Sequence, residues 1–330
     1  MTASVRTVLG DVSPADLEIT YIHEHLIIDS PLIVDRWPHI LLTSVEDAVQ
    51  EIEPCSAAGV GTIVDAMPAA SGRGPIRLAE ISRLSGVHIV ACTGLHTSKY
   101  YEGQRWTSEE PPDVLAELFI ADVLEGIDQY DYMGPVVRRT PHRAGILKVA
   151  VLEDAPTARD VRVFEAAARA HDSTGVPILT HCEGGRGAMA QIELLERLGV
   201  PLDRVVVSHT DKVNDLSYHH DLLATGVYLE YDQASRQGED CVDHTARIVA
   251  AMVAGGHADR LMLSSDAARR SMWAVHGGLG LVWLATRFVE ILGGLGVDPT
   301  SIEKMLRTNP ARFLAFQAPE ETNEVFASTM

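Results

Sequence analysis

A (β/α)8 barrel is the fold class that this 330-residue sequence predicts, on three observations. Eight short β-branched or apolar runs recur along it, at 19–28, 62–67, 88–93, 146–151, 177–180, 204–208, 227–231 and 261–265. Between most of them lie stretches with helical apolar spacing, and a glycine stands just past each where a left-handed cap is wanted. These are 44–58 before Gly59, 75–84 before Gly86, 158–171 before Gly175, and 187–198 before Gly199. The third observation is negative: no Gly-x-Gly-x-x-Gly turn follows the first run, which turns the reading away from a doubly wound open sheet.

The elements follow in order. Residues 1–18 read as a short lead-in, 95–112 as a long Tyr-, Trp-, Gly- and Pro-bearing loop after the third strand, and 232–243 as another after the seventh. Long loops at the carboxyl ends of barrel strands shape the substrate pocket. The segment 277–296 carries Arg287 and Glu290 between glycines and reads as a buried helix rather than a membrane span. Residues 298–316 read as two helices, begun by Asp298-Pro299 and Asn309-Pro310 as cap and first-turn proline, with a flexible tail at 317–330.

Composition narrows the function classes. With 46% apolar and 22% charged residues, the chain is long enough for one large core. Its net charge of −19 without a basic cluster argues against nucleic acid and anionic membrane surfaces as partners. Four scattered cysteines, Cys55, Cys92, Cys182 and Cys241, and a start without a signal peptide predict reduced thiols in a cytoplasmic protein. Cys182 reads as a small buried hydrophobe beside a site. A homodimer is expected from apolar faces on the later helices.

The polar residues at strand ends carry the chemistry. His23 and His25 share one face if 19–28 is a strand, and Glu24 between them faces away. Lys148 interrupts the apolar fourth run, His181 and His209 end the fifth and sixth, and Asp266 follows the eighth. One histidine at a strand end is more often structural than a ligand. Four at matching positions, with an aspartate and a lysine on the same rim, point to a metal-dependent active site. His219, His220, His244, His257 and His276 follow no strand and read as solvated or capping residues, and His96 as a structural residue near the rim.

Taken in this order, His23-Glu24-His25, Lys148, His181, His209 and Asp266 resemble the phosphotriesterase-related family of the amidohydrolase superfamily, over nearly the whole chain from Gly10 to Asn309-Pro310-Ala311-Arg312. The resemblance implies a single metal-dependent hydrolase barrel over 1–330. In it His23, His25 and Asp266 hold one metal ion and His181 and His209 a second. Lys148, N-carboxylated, bridges both together with a hydroxide. It further implies attack by that hydroxide, with Asp266 as proton shuttle. Zinc is the first expectation for two divalent ions here, with manganese, cobalt or iron fitting the same ligands.

The family includes organophosphate esterases, acyl-homoserine-lactone lactonases and sugar-phosphate lactonases. After the last ligand the chain reads Asp266-Ala-Ala-Arg-Arg-Ser271, which is similar to the phosphorylated furanose-lactone hydrolases and too polar to favour an acyl tail. Arg269 and Arg236 are the candidates to hold a substrate phosphate, with Lys99, Tyr100 and Lys212 as helpers. The net negative field would repel an anionic substrate, so capture would rest on these local cations and the metals. The expected activity is therefore a lactonase opening a small, phosphorylated sugar lactone. The alternative is a phosphoric ester or triester hydrolase using the same centre.

Overall fold

A computed structural model describes residues 3–237 and 244–317. Two three-residue strands missing from the sequence reading open the chain as an antiparallel hairpin, β1 (Val5–Thr7) and β2 (Gly10–Val12). Eight parallel strands follow: β3 (Ile19–Glu24), β4 (Val60–Asp65), β5 (His88–Gly94), β6 (Ala144–Val151), β7 (Ile178–Cys182), β8 (Val205–Ser208), β9 (Tyr228–Tyr231) and β10 (Leu261–Leu263). They pair in sequence order from β3 to β10, each neighbour joined through a helix, which is the (β/α)8 barrel the sequence predicts. Gly59, Gly86, Gly175 and Gly199 all have positive φ just past their helices, as their cap role requires.

Two apolar cores result. An inner one, with Ile22, Val64, Val90, Ile146, Leu179 and Met262 among its members, fills the barrel. Val5, Leu17, Phe313 and Leu314 plug it from the amino-terminal end. The larger core lies between the strands and the surrounding helices. On β6, β7, β9 and β10 the residue two positions beyond each inner-core member is polar: Lys148, His181, Glu230 and Ser264. The period of two thus stacks a polar layer on the apolar one, at the carboxyl end.

The first strand departs from simple alternation. Tyr21 lies opposite Ile63 and Glu24 opposite Asp65, so Ile22 and His23 together oppose Val64. This bulge turns both inward, Ile22 into the inner core and His23 into the polar layer. The strand expected to reach residue 28 ends at Glu24, because the Leu26 and Ile27 amides donate to Asp65 Oδ2, at 2.7 and 3.2 Å, rather than to a ladder.

Three further expectations are corrected. The two tail helices are one continuous run, Pro299–Glu303, Lys304–Thr308 and Asn309–Leu314, whose middle part is a wide π turn. Asp298 caps it, accepting from the Ser301 amide at 3.0 Å. Asn309, however, is helical at φ −68°, and its amide nitrogen donates to the Ala258 and Leu261 carbonyls. The wide turn makes room for Pro310, whose ring would clash with the carbonyl of an ordinary preceding turn. Within 277–296 the first glycines, Gly277, Gly278 and Gly280, lie in a turn, while Gly293 and Gly294 close the helix that follows. The helix itself is amphipathic, with Leu284, Phe288 and Leu292 buried while Arg287 and Glu290 pair outside. His219, expected to be solvated or capping, is fully buried, its Nε2 bonded to the Val213 carbonyl at 2.9 Å and its Nδ1 to the Tyr231 hydroxyl at 3.2 Å. The tail from 318 onwards, Cys241, and 238–243 of the loop after β9 lie outside the described residues. No helix among the described residues is long and apolar enough to cross a membrane.

Candidate active site

A cavity of about 710 Å³ opens at the carboxyl end of the barrel, and the polar layer forms its floor. His23 Nε2 lies 2.8 Å from Lys148 Nζ and 3.7 Å from Asp266 Oδ1, and His25 Nε2 is 3.4 Å from that same oxygen. Across the floor His209 Nε2 and His181 Nδ1 face each other at 2.8 Å. All six strand-end residues singled out in the sequence are thus brought together, and none has a side chain more than 13% exposed.

Three of the four rings meet an acid through their second nitrogen, while His25 Nδ1 is buried without a partner among the described residues. His23 Nδ1 is 3.2 Å from Glu230 Oε2, and His209 Nδ1 is 2.8 Å from the Asp232 carboxylate. His181 Nε2 is 3.3 Å from Glu183 Oε2. His209 and Asp266 are left-handed, at φ 62° and 44°, which costs a residue with a Cβ about 1–2 kcal/mol. Each is compensated: the His209 amide donates to Asp232 Oδ2 at 3.1 Å, and the amides on both sides of Asp266 donate to Glu24. Asp65 does the same for the two residues after His25.

The electrostatics suit a cation. Burial, then the neighbouring Lys148, holds His23 well below the usual imidazole range, and burial with the facing His209 brings His181 down to about 3. Burial likewise lowers His209, so these rings are neutral and offer lone pairs. Burial also lowers the Lys148 amine, against the pull of Asp266. For Asp266 burial acts upward, but Arg236 and His25 outweigh it and keep the carboxylate well below its ordinary value. Two groups among the described residues have the geometry to hold a metal ion, His23 with His25 and Asp266, and His23 with His209 and Asp232. Asp232 already receives both N–H groups of His209, which marks it as an orienting residue.

The cavity wall carries the other candidates. Lys99, Tyr100, Lys212, Arg236 and Arg269 all line it. Lys99 Nζ bonds Glu183 at 3.1 Å and lies 5.1 Å from the Tyr100 ring centre, and Tyr100 meets Trp37 edge-on at 5.1 Å. Arg236 donates to Asp266 Oδ2 at 2.6 Å and also to its carbonyl, while its Nε is buried without a partner among the described residues. Arg236 is thus paired with the Asp266 carboxylate at the edge of the cavity. His96 lines the cavity and accepts the Thr97 amide through Nδ1, and Cys182 is buried against Gln191.

Sequence reasoning missed Glu230 and Asp232. Their signal was there: acids two apart on β9 share the inward face, at the height where the other strands carry Lys148 and His181. Asp65 carries no such signal, since its partners lie on another element, and Glu183 is a local partner, two residues past His181.

An eight-stranded barrel with four histidines, a lysine and an aspartate converging at its carboxyl-end cavity defines the class: an enzyme, and a hydrolase. The chain belongs to the phosphotriesterase family, whose family model matches residues 3–314. A phospho-furanose lactonase of Mycoplasmopsis agalactiae is 33% identical over 325 residues, 96% of this chain and 92% of that protein. The crystal structure of an amidohydrolase from Mycoplasma synoviae superposes with a TM-score of 0.91 at 30% identity, covering 96% of this chain and 93% of that one. The phosphotriesterase homology protein of Escherichia coli, solved with phosphate in its active site, gives 0.82 at 28% identity over 91% and 99% of the two chains. The hydrolase acts on ester bonds, in a lactonase- or phosphotriesterase-like manner.

Proposed function

We propose that this protein is a lactonase that opens a small, phosphorylated sugar lactone at a two-metal centre. The observation that carries this reading is the pairing of two features in one cavity: a floor of neutral imidazoles and a wall bearing Lys99, Lys212, Arg236 and Arg269. Such a wall suits a phosphate, for which arginine offers two parallel donors. The phospho-furanose lactonase relative and the phosphate-bound relative support it.

The residues present fit the metals. His23, His25 and Asp266 would hold one ion and His181 and His209 the other, with Lys148 between them. The lowered Lys148 amine is a competent nucleophile toward carbon dioxide. Attack by the neutral amine would form the N–C bond of a carbamate with loss of one proton, and would put an anion where the amine stood. When bound, divalent ions supply a nucleophilic water at neutral pH and a Lewis acid for the carbonyl oxygen. Zinc leads for this donor set, with manganese, cobalt and iron as the other candidates. Asp266 accepts the proton of the attacking water and returns it to the leaving ring oxygen. Arg236 keeps that carboxylate ionised and aimed, and the exposed part of its side chain, with Arg269, Lys99 and Lys212, meets the phosphate. Tyr100 and Trp37 form an aromatic wall for the sugar ring.

A lactone panel with and without the phosphate, joined by a phosphotriester, tests the assignment. Arg269→Ala is expected to lower kcat/KM about 10–100-fold on phosphorylated lactones, the worth of a charge-assisted pair, and to leave neutral lactones unaffected. Neutral lactones turning over faster, with Arg269→Ala silent, would sink the phosphate reading. The triester as the best substrate would favour a phosphoric ester hydrolase.

A further inference from the structure

Glu24 sits between two of the proposed ligands, yet its side chain points to neither. It is fully buried. Its Oε1 accepts the Ser265 amide at 2.7 Å and the Ser264 hydroxyl lies 2.8 Å away, while Oε2 accepts the Ala267 amide at 3.0 Å. The amide between those two, on Asp266 itself, donates to the His23 carbonyl at 3.1 Å. Three consecutive amides of the β10 loop therefore end on two consecutive residues of β3. No regular ladder joins these strands, and the Glu24 carboxylate, the Ser264 hydroxyl and the single Asp266-to-His23 backbone bond join them instead. Asp266, at the centre of the clamp, is left-handed, a conformation the clamp dictates and an unrestrained aspartate seldom adopts.

We infer that Glu24 is the positioning residue for Asp266: by holding the amides on either side it fixes the turn that aims the Asp266 carboxylate at His23 and His25. The inference rests on the reading of Asp266 as ligand and proton carrier. It explains why an acid stands at this position, because a carboxyl group presents one acceptor oxygen to each of two converging N–H groups. Glutamine has the same shape but must turn its NH2 toward one of those amides. Aspartate is one methylene too short to span both.

The test uses the full chain, Co2+ as the metal, and three variants. In Glu24→Gln the affinity for one of two Co2+ ions is expected to fall about 10–100-fold, the usual cost of disturbing an orienting partner. The affinity for the other ion should hold, kcat should drop by a similar factor, and KM for the lactone should stay within about threefold. Glu24→Asp should behave alike. A purely structural role would lower Tm and leave Co2+ affinity and the split between kcat and KM unchanged, and that result overturns the inference. Asp266→Asn separates the two levels. If it keeps Co2+ affinity and turnover, the reading of the site fails; if it loses both while Glu24→Gln keeps them, only the role of Glu24 fails. Should neither Glu24 variant fold, hydrogen exchange on the native protein decides. The Ser265 and Ala267 amides must be as protected as the strand amides beside them, and rapid exchange there overturns the clamp.

Discussion

Asp232→Asn offers the sharpest check on how the imidazoles are held. The wild-type carboxylate receives two donors from one residue, His209 Nδ1–H at 2.8 Å and the His209 backbone N–H at 3.1 Å. The first fixes the tautomer that leaves Nε2 free to face the centre, and the second pins the left-handed backbone that points the ring inward. An asparagine of the same shape has a single acceptor oxygen, so one of the two N–H groups must confront its NH2. Losing a buried charge-assisted bond costs about 1.5–3 kcal/mol. Felt at the centre, that matches the 10–100-fold loss of metal affinity, or about 1.4–2.8 kcal/mol, typical of removing an orienting carboxylate. The assay is Co2+ competition with a chelating dye, on protein whose fold is confirmed by circular dichroism. Wild-type affinity in Asp232→Asn would refute the claim that this acid orients His209.

Two other expectations follow from particular contacts. Gly94 has φ 99°, and a Cβ placed on it would lie 2.1 Å from the Lys148 carbonyl oxygen. Gly94→Ala is therefore expected to destabilise the barrel by at least the 1–3 kcal/mol of roughly local strain and to displace Lys148, read as a lower Tm with more than tenfold lost turnover; a silent Gly94→Ala would contradict the geometry. The second concerns acid. His181 is brought to about 3 from 6.5, so between those values the unfolded chain holds a proton that the native one lacks, and stability falls as pH falls. Buried Glu24 and Asp232, raised to about 8 and 6 by burial, act in the opposite sense. The difference between wild type and His181→Asn isolates the histidine. From pH 6.5 to 5 the metal-free wild type should lose about 2 kcal/mol relative to the variant in urea unfolding, at about 1.4 kcal/mol per pH unit. Parallel curves would show that His181 is not held neutral.

The barrel was legible because strands and helices announce themselves by period and by glycine caps, and Gly59, Gly86, Gly175 and Gly199 sit where the sequence put them. The strand-end histidines, Lys148 and Asp266 were legible for a related reason, since a barrel sends every strand end to one rim. What escaped depends on partners far away in the chain. Glu230 meets His23 across 207 residues, and Glu24 meets Ala267 across 243. The bulge at Ile22 and His23 is set by register against β4, which one strand's sequence does not contain. Strands β1 and β2, three residues each, are too short to show a period. Pro310 suggested a helix start, and only the π turn ahead of it shows how a helix runs through. That Arg236 also pairs with Asp266, 30 residues on, was not visible in the local sequence.

The side-chain seam between β3 and β10 bears on how the molecule comes into being. His23 and Ser264 are 241 residues apart, and closing a loop of that length costs about 5 kcal/mol of chain entropy before any contact repays it. During synthesis the seven ladders from β3 to β10 form between neighbours as they emerge, whereas this junction waits for the last strand. The pocket where His23 and His25 meet Asp266 straddles it. A nascent chain that has made seven of the eight strands thus carries the four histidines without Asp266, and the final strand brings that carboxylate to His23 and His25 in the same step that shuts the barrel.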